Sequence, residues 1–296
     1  MPTKTLTSPL GRDGSQKLFK FGGGANTINA MDHSGDFGYW INAGGGDDTI
    51  NGADFRSNLP NGDPGFSNDT LIGGKGSDTI IGGLGDDHIY GGKEDGSDGG
   101  KGRNPTVTNS LYGEERFVFL SAGENFTGGD DVITAGNDVR NFLYGDIQSA
   151  NGDASNTFTG GNDTLIGGTN SEDVLIGDWS SFGGDPVDGD PVLNGGEDTF
   201  VIKQSGGKDT IWDFRSTDDD PDTARVGDKV DLSDFGFAGF DSLNGLWYDN
   251  FGSLALDFDG NGDGFGDVLI FANIAFVNTD PDALDFGLVA GDFIFV

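Results

Sequence analysis

Residues 73–90 read GGKGSDTII and then GGLGDDHIY. These are two consecutive nonapeptides of one form, G-G-x-G-x-D-x-U-x, in which U is a large apolar residue. The chemistry lies in the turn half of each unit. Gly73, Gly74 and Gly76 in the first copy, and Gly82, Gly83 and Gly85 in the second, permit positive φ and close approach of neighbouring turns. Their carbonyls can then face into a row of turns, and Asp78 and Asp87 at the sixth place add carboxylate oxygens. An all-oxygen cage shared by adjacent turns suits a hard cation with roughly 6–8 ligands, such as Ca2+. Mg2+ fits less well, because it demands near-ideal octahedral geometry and keeps its waters. Zero Cys and only two His, His33 and His88, argue against zinc or copper.

The sixth place can be followed along the chain. Asp69 precedes the two clean copies, and looser copies put it at Asn26, Asp48, Asn109, Asp131, Asn141, Asp163, Asp173, Asp198 and Asp209. The amide carries no charge, so Asn26, Asn109 and Asn141 mark weaker positions. A second candidate site is DGNGDGFGD at 259–267. Asp259, Asn261, Asp263 and Asp267 take positions 1, 3, 5 and 9 of an EF-hand-like loop, with Gly264 at the sharp turn. Position 12 would be Ile270 instead of the bidentate Glu. The flanks SLALDF and VLIFANI read as strands, so the expectation is a strand–loop–strand site against an unliganded Gly/Asp turn.

These residues need a scaffold that repeats. The residue two places after each sixth position is always apolar: Ile28, Ile50, Leu71, Ile80, Ile89, Leu111, Ile133, Leu143, Leu165, Leu175, Phe200 and Ile211. In a short strand the x-U-x segment points U inward and its neighbours outward. One unit cannot bury its single apolar side chain alone, whereas stacked units build a continuous core. The expected fold is all-β, a parallel β-roll followed by a compact C-terminal β region. A longer unit is also visible, since SLYGE (110–114), FLYGD (142–146) and VLIGD (174–178) recur at a fixed interval. From Asn109 on, long and short gaps alternate. In a two-sided roll that parity puts the long loops 113–127, 145–159 and 177–194 on one edge, unless a degenerate half-turn hides inside a long gap.

Composition sets outer limits. The 296 residues carry 16 Lys and Arg against 50 Asp and Glu, a formal charge of −34, and 55 are Gly. An acidic chain lacks the basic stripe of nucleic-acid binders and the polybasic patch that docks on anionic lipid. The longest clean apolar run, Val268 to Ala272, is far too short to span a bilayer. The polar, Pro-broken start MPTKTLTSPLGRDG is not that of a Sec-type signal peptide. No H-E-x-x-H, G-x-S-x-G or Walker loop occurs, and the expectation is a protein that is not an enzyme. Acid pairs such as Asp47–Asp48, Asp86–Asp87 and Asp130–Asp131 read as one metal position and one outward residue.

The nonapeptides resemble those of the haemolysin-type calcium-binding (RTX) family, over roughly residues 22–215. The stretch DTIWDFRSTDDDPDTARVGDKVDLSDF (209–235) resembles the step after the repeats in serralysin-type secreted proteins, with Asp213, Asp228 and Asp231 at its acid positions. The terminal GDFIFV, an acid followed by large apolar residues, resembles the end of type I secretion substrates and also reads as a last strand. The resemblance implies a lead-in at 1–21, a roll at 22–215 and a C-terminal region carrying an export signal at 216–296. It implies several Ca2+ ions, with Asp213 and Asp231 as further ligands. It also implies an extracellular location reached through a type I secretion apparatus, and a non-enzymatic role at the cell surface or matrix, in adhesion or host contact. Two other readings stay open: a carbohydrate-binding accessory β-roll module that stacks sugar on Trp179 and Phe182, and a membrane-active effector resembling nodulation protein O. Surface polysaccharide and host surfaces are the partners these readings imply, with no nucleic acid.

Overall fold

The repeat predicts strands of three to six residues, each centred on one inward apolar side chain. The computed structural model describes residues 3–7, 17–30, 38–52, 68–92, 107–184, 191–204, 207–215, 227–243, 247–249, 254–256, 268–272 and 292–295. Its strands build two large sheets and two small ones. One face is an eleven-stranded sheet that runs Thr3–Leu6, Thr27–Ala30, Thr49–Asn51, Thr79–Ile81, Thr108–Tyr112, Arg140–Tyr144, Glu172–Ile176 and Asp209–Phe214, then Val268–Ala272, Leu254–Leu256 and Trp247–Asp249. The other is a nine-stranded sheet, from Leu18–Lys20 through Trp40–Gly45, Thr70–Lys75, His88–Gly92, Val132–Thr134, Thr164–Ile166, Thr199–Val201 and Lys229–Asp231 to Phe293–Ile294. Pairing is parallel throughout, except for the antiparallel pairs that tie Trp247–Asp249, Leu254–Leu256 and Val268–Ala272 together. The chain alternates between the two faces, which is a parallel β-roll. Both sheets continue past residues 22 and 215, so the outermost segments extend the roll.

Register follows the repeat. Ile50 pairs with Ile80 and Ile80 with Leu111 on one face, while Leu71 pairs with Ile89 and Ile89 with Ile133 on the other. All twelve U residues are fully buried, and those of both faces meet in one core between the sheets. Their flanking residues stay half-exposed or exposed, the burial alternation expected for a strand with one wet face.

Two features depart from the expected layout. The interval between Asn26 and Asp48 hides a half-turn, since Trp40–Gly45 belongs to the nine-stranded sheet and Ile41 pairs with Leu71. Tyr39 stands there at the sixth place, buried, and its hydroxyl donates to the Leu6 carbonyl at 3.2 Å. The segments 113–127, 145–159 and 177–194 do leave the same edge, between the eleven- and nine-stranded sheets, but they are not simple loops. Phe117–Phe119, Ile147–Gly152 and Trp179–Gly184 form one three-stranded parallel sheet, and Asn125–Thr127, Thr157–Thr159 and Val192–Asn194 form another. Between them Val118, Phe126, Ile147, Ala150 and Phe158 make a separate core, against which Leu84 of the clean repeat also packs. The middle coils therefore have four strands each, and a side roll is stacked in the same register as the main one.

Each layer contributes so few apolar atoms that every U residue matters. Leu143→Ala leaves a cavity that neighbouring coils cannot close without breaking their own register, and a loss of about 2–5 kcal/mol is expected. Urea unfolding at saturating calcium measures it; a loss below about 1 kcal/mol would show that the coils relax independently.

Candidate metal centre

The turns that join the two faces stack into rows. On the edge where the chain passes from the eleven- to the nine-stranded sheet, the sixth places are Tyr39, Asp69, Asp87, Asp131, Asp163, Asp198 and Asp228, all buried. Each carboxylate reaches back by one coil and accepts the main-chain N–H of the preceding sixth-place residue. The Asp69 Oδ1 takes Tyr39 N–H at 2.5 Å, Asp87 Oδ1 takes Asp69 at 2.7 Å, and Asp131 Oδ1 takes Asp87 at 2.5 Å. The same bond repeats from Asp163 to Asp131 at 2.8 Å, from Asp198 to Asp163 at 2.9 Å and from Asp228 to Asp198 at 3.1 Å. One oxygen of each acid thus fixes the coil spacing.

The second oxygen carries the electrostatic burden. The Oδ2 atoms of Asp131, Asp163 and Asp198 are buried and have no hydrogen-bond partner among the described residues. A buried carboxylate with an unmatched oxygen is costly unless a cation or proton compensates it. The space in front of these atoms is kept open by glycine. A Cβ at Gly82 would overlap both Asp87 Oδ2 and the Gly113 carbonyl, and one at Gly145 would overlap both Asp163 Oδ2 and the Gly177 carbonyl. Carboxylate and carbonyl oxygens from neighbouring coils therefore converge on one small space, the donor set that a hard divalent cation takes. Among the described residues no three acidic or imidazole side chains gather as a metal cage, so main-chain carbonyls would complete the coordination. When bound, Ca2+ would supply the counter-charge that lets these acids stay ionised.

The opposite edge is different. Its sixth places are Asn26, Asp48, Asp78, Asn109, Asn141, Asp173 and Asp209. Asp48 Oδ1 accepts Asn26 N–H at 2.7 Å and Asp78 Oδ1 accepts Asp48 N–H at 3.0 Å, the same ladder as before. Farther along, amides replace the charge. Asn109 Nδ2 donates to Asn141 Oδ1 at 3.0 Å, and Asn141 Nδ2 donates to Asp173 Oδ1 at 2.6 Å and to the Gly136 carbonyl at 2.9 Å. The Asp173 Oδ2 accepts Gly168 N–H at 2.7 Å and the Ser171 hydroxyl at 3.0 Å. This stretch satisfies its own polar groups, and Asp173, expected as a ligand, has both oxygens hydrogen-bonded.

The remaining expected residues fall into four groups. Gly73, Gly74, Gly76, Gly83 and Gly85 lie in or beside the turns, where Gly74 (φ 116°) passes so close to the Gly44 carbonyl that a side chain would overlap it. Asp213 accepts Gly177 N–H and Asp178 N–H, each at 2.9 Å, and so joins the first edge. Asp231 sits on the half-exposed side of its strand and accepts Ser233 N–H at 2.8 Å, outside both rows. Asp259, Asn261, Asp263 and Asp267 lie outside the described residues, although their flanks Leu254–Leu256 and Val268–Ala272 are paired strands as expected.

Four acids of the first edge were not singled out as ligands from the nonapeptide pattern: Glu114, Asp146, Asp178 and Asp228, all buried. The first three end the recurring SLYGE, FLYGD and VLIGD segments, so the longer period held the signal. Arg215 lies among them, its Nη2 donating to Asp178 Oδ2 at 3.1 Å and to the Gly196 carbonyl at 2.7 Å. Trp179 is half-buried against the side core, so it is a packing residue more than an open stacking platform.

Residues 40–56 and 64–97 match the family model of the RTX calcium-binding nonapeptide repeat, in four copies. No curated protein and no solved structure matches the chain. The protein therefore carries RTX calcium-binding repeats folded as a parallel β-roll.

Without metal, burial is the main cause that pushes the Asp178 carboxyl up to about 7, with the facing Asp213 adding to it, and that pushes Asp228 up to about 8. Glu114, Asp131, Asp146, Asp163 and Asp198 are raised well above the carboxylate range, again first by burial. A folded value above the unfolded 3.8 means stability that is fully present below about pH 4 and lost as pH rises through the folded value. The metal-stripped chain should lose stability from about pH 4 to pH 8, and saturating calcium should remove most of that slope. Far-UV circular dichroism of the stripped protein between pH 4 and pH 8 tests this: the β signal should fall as pH rises, and a signal that grows with pH would contradict it.

Proposed function

We propose that the protein is a secreted, non-enzymatic calcium-binding protein whose roll is ordered by Ca2+ met outside the cell, and that it acts at the cell surface or matrix in adhesion or host contact. The observation that carries this reading is the row of buried sixth-place carboxylates, in which the Oδ2 atoms of Asp131, Asp163 and Asp198 have no hydrogen-bond partner among the described residues and those of Asp131 and Asp163 lie beside carbonyls of the next coil. At cytosolic calcium such a row repels itself and the chain stays expanded, a form suited to passage through a type I apparatus. Outside, calcium in the millimolar range meets sites whose extracellular versions bind at roughly 10⁻⁴–10⁻³ M. Each site at ten times its Kd adds about 1.4 kcal/mol by linkage, and several sites together decide folding.

Other features agree with this reading. GDFIFV resembles the end of type I secretion substrates, and its Phe293 and Ile294 pair with Val230 and Asp231 as a strand of the roll. His88 is exposed on the outer face of its strand, which gives no nucleophile–base pair there. No helix among the described residues is long and apolar enough to cross a membrane.

The test is far-UV circular dichroism of the full chain at pH 8 in EGTA and at millimolar calcium. The β signal should be absent in EGTA and appear on calcium addition. An unchanged spectrum would contradict the proposal.

A further inference from the structure

The turns of the first edge are not all alike. In the clean repeat the chain runs Gly82, Gly83, Leu84, Gly85 and then the acid Asp87. In the next three coils the turn opens after its first glycine, at Gly113, Gly145 and Gly177, and the side strands are inserted. It closes again at Gly129, Gly161 and Gly196. Those three stack on Gly85, because a Cβ at Gly129 would overlap the Gly85 carbonyl, one at Gly161 that of Gly129, and one at Gly196 that of Gly161. The side roll is therefore inserted between the first and fourth places of the turn.

Each insertion begins with an acid at the second place, Glu114, Asp146 or Asp178, where the clean repeat has Gly83. All three are buried. Each holds the mouth of its insertion shut by accepting the N–H of the fourth-place glycine: Glu114 Oε1 from Gly129, Asp146 from Gly161 shared between Oδ1 at 3.1 Å and Oδ2 at 3.2 Å, and Asp178 Oδ1 from Gly196 at 2.7 Å. Across the turn stand Asp131, Asp163 and Asp198. Among the described residues Glu114 Oε2, Asp131 Oδ2, Asp163 Oδ2 and Asp198 Oδ2 are buried without hydrogen-bond partners, one sixth-place oxygen in each coil. The Gly145 and Gly177 carbonyls each lie beside a sixth-place Oδ2.

The last rung shows what such oxygens accept. There the Arg215 guanidinium lies on Asp178 Oδ2 and on the Gly196 carbonyl, an acid oxygen and a main-chain oxygen, while the Arg215 N–H donates to Asp228 Oδ2 at 2.7 Å. A Cβ at Gly195 would overlap both the guanidinium and Asp178 Oδ2. A cation of the chain itself thus sits on the second-place acid of this rung.

We infer that the opened turns form a file of cation sites in which a second-place acid joins the sixth-place ligand, so that Glu114 with Asp131 and Asp146 with Asp163 each hold a divalent ion such as Ca2+, and Arg215 stands in for the ion at Asp178. The inference rests on the calcium-binding reading of the roll and adds second-place acids to its ligands. Higher ligand charge tightens such sites, so these two rungs fill before the sixth-place sites of the opposite edge.

Native mass spectrometry of the full chain, titrated with CaCl2, counts the ions. Glu114→Gln and Asp146→Asn should each bind one ion fewer than the parent, while Arg215→Gln should bind one more. Asp48→Asn, on the other edge, should leave the tightest-binding ions in place. If both amide variants take up as many ions as the parent with unchanged half-saturation, the second-place acids hold nothing and the inference falls while the calcium reading stands. If Arg215→Gln gains no ion, the stand-in role falls. If the parent itself takes up none, both readings fall. Circular dichroism at saturating calcium identifies any variant that fails to fold, and the other amide variant then decides.

Discussion

Like charges stacked one above another are the constraint under which this fold exists. Parallel coils lie about 4.8 Å apart, so a residue repeated at one place in every coil meets its own copy at that distance. For an apolar residue this is an advantage, and Leu111, Leu143 and Leu175 bury one another completely. For an ionised carboxylate it is a penalty of about 3 kcal/mol per neighbouring pair at an effective dielectric near 20. The aspartate row accumulates that penalty coil after coil. Accepting a main-chain N–H offsets part of it through one oxygen, while the other oxygen of Asp131, Asp163 and Asp198 has no hydrogen-bond partner among the described residues.

The two edges answer this constraint in different ways. On one, Asn109 and Asn141 give up the charge and link their amides to one another and to Asp173, so the row closes on itself. On the other, charge is retained and increased, and the glycines beside it preserve room for an ion. A net charge of −34 sets a repulsion within the roll that bound cations would lower. The side roll adds apolar burial through Val118, Phe126 and Phe158 on the more highly charged edge, so electrostatic cost and hydrophobic gain are placed side by side.

Much of this was legible in the residues alone. The twelve U positions and the parallel roll follow from a local pattern, nine residues long, whose strand and turn halves are read independently. What escaped was written in a different period. Tyr39 replaces the acid of its half-turn, so the pattern loses its marker although Ile41 still fills the core. The side strands FVF, NFT and TFT carry no glycine pair ahead of them, and a three-residue strand is too short to show alternation. Glu114, Asp146 and Asp178 occupy a place that is glycine in the clean repeat, so their role emerges only when the coils are stacked. Asp231 shares a strand with Val230, and alternation turns it outward, where a linear motif could not place it.

The central claim is that an added cation, not the apolar core alone, holds the stacked carboxylates together. Amide hydrogen exchange tests it at the atoms concerned, since the Asp87, Asp131 and Asp163 N–H groups are donated to the acids of the following coil. The account predicts strong protection of these three amides at millimolar calcium and exchange near the unfolded rate once the ion is removed at pH 7.5. Equal protection in both conditions would contradict it.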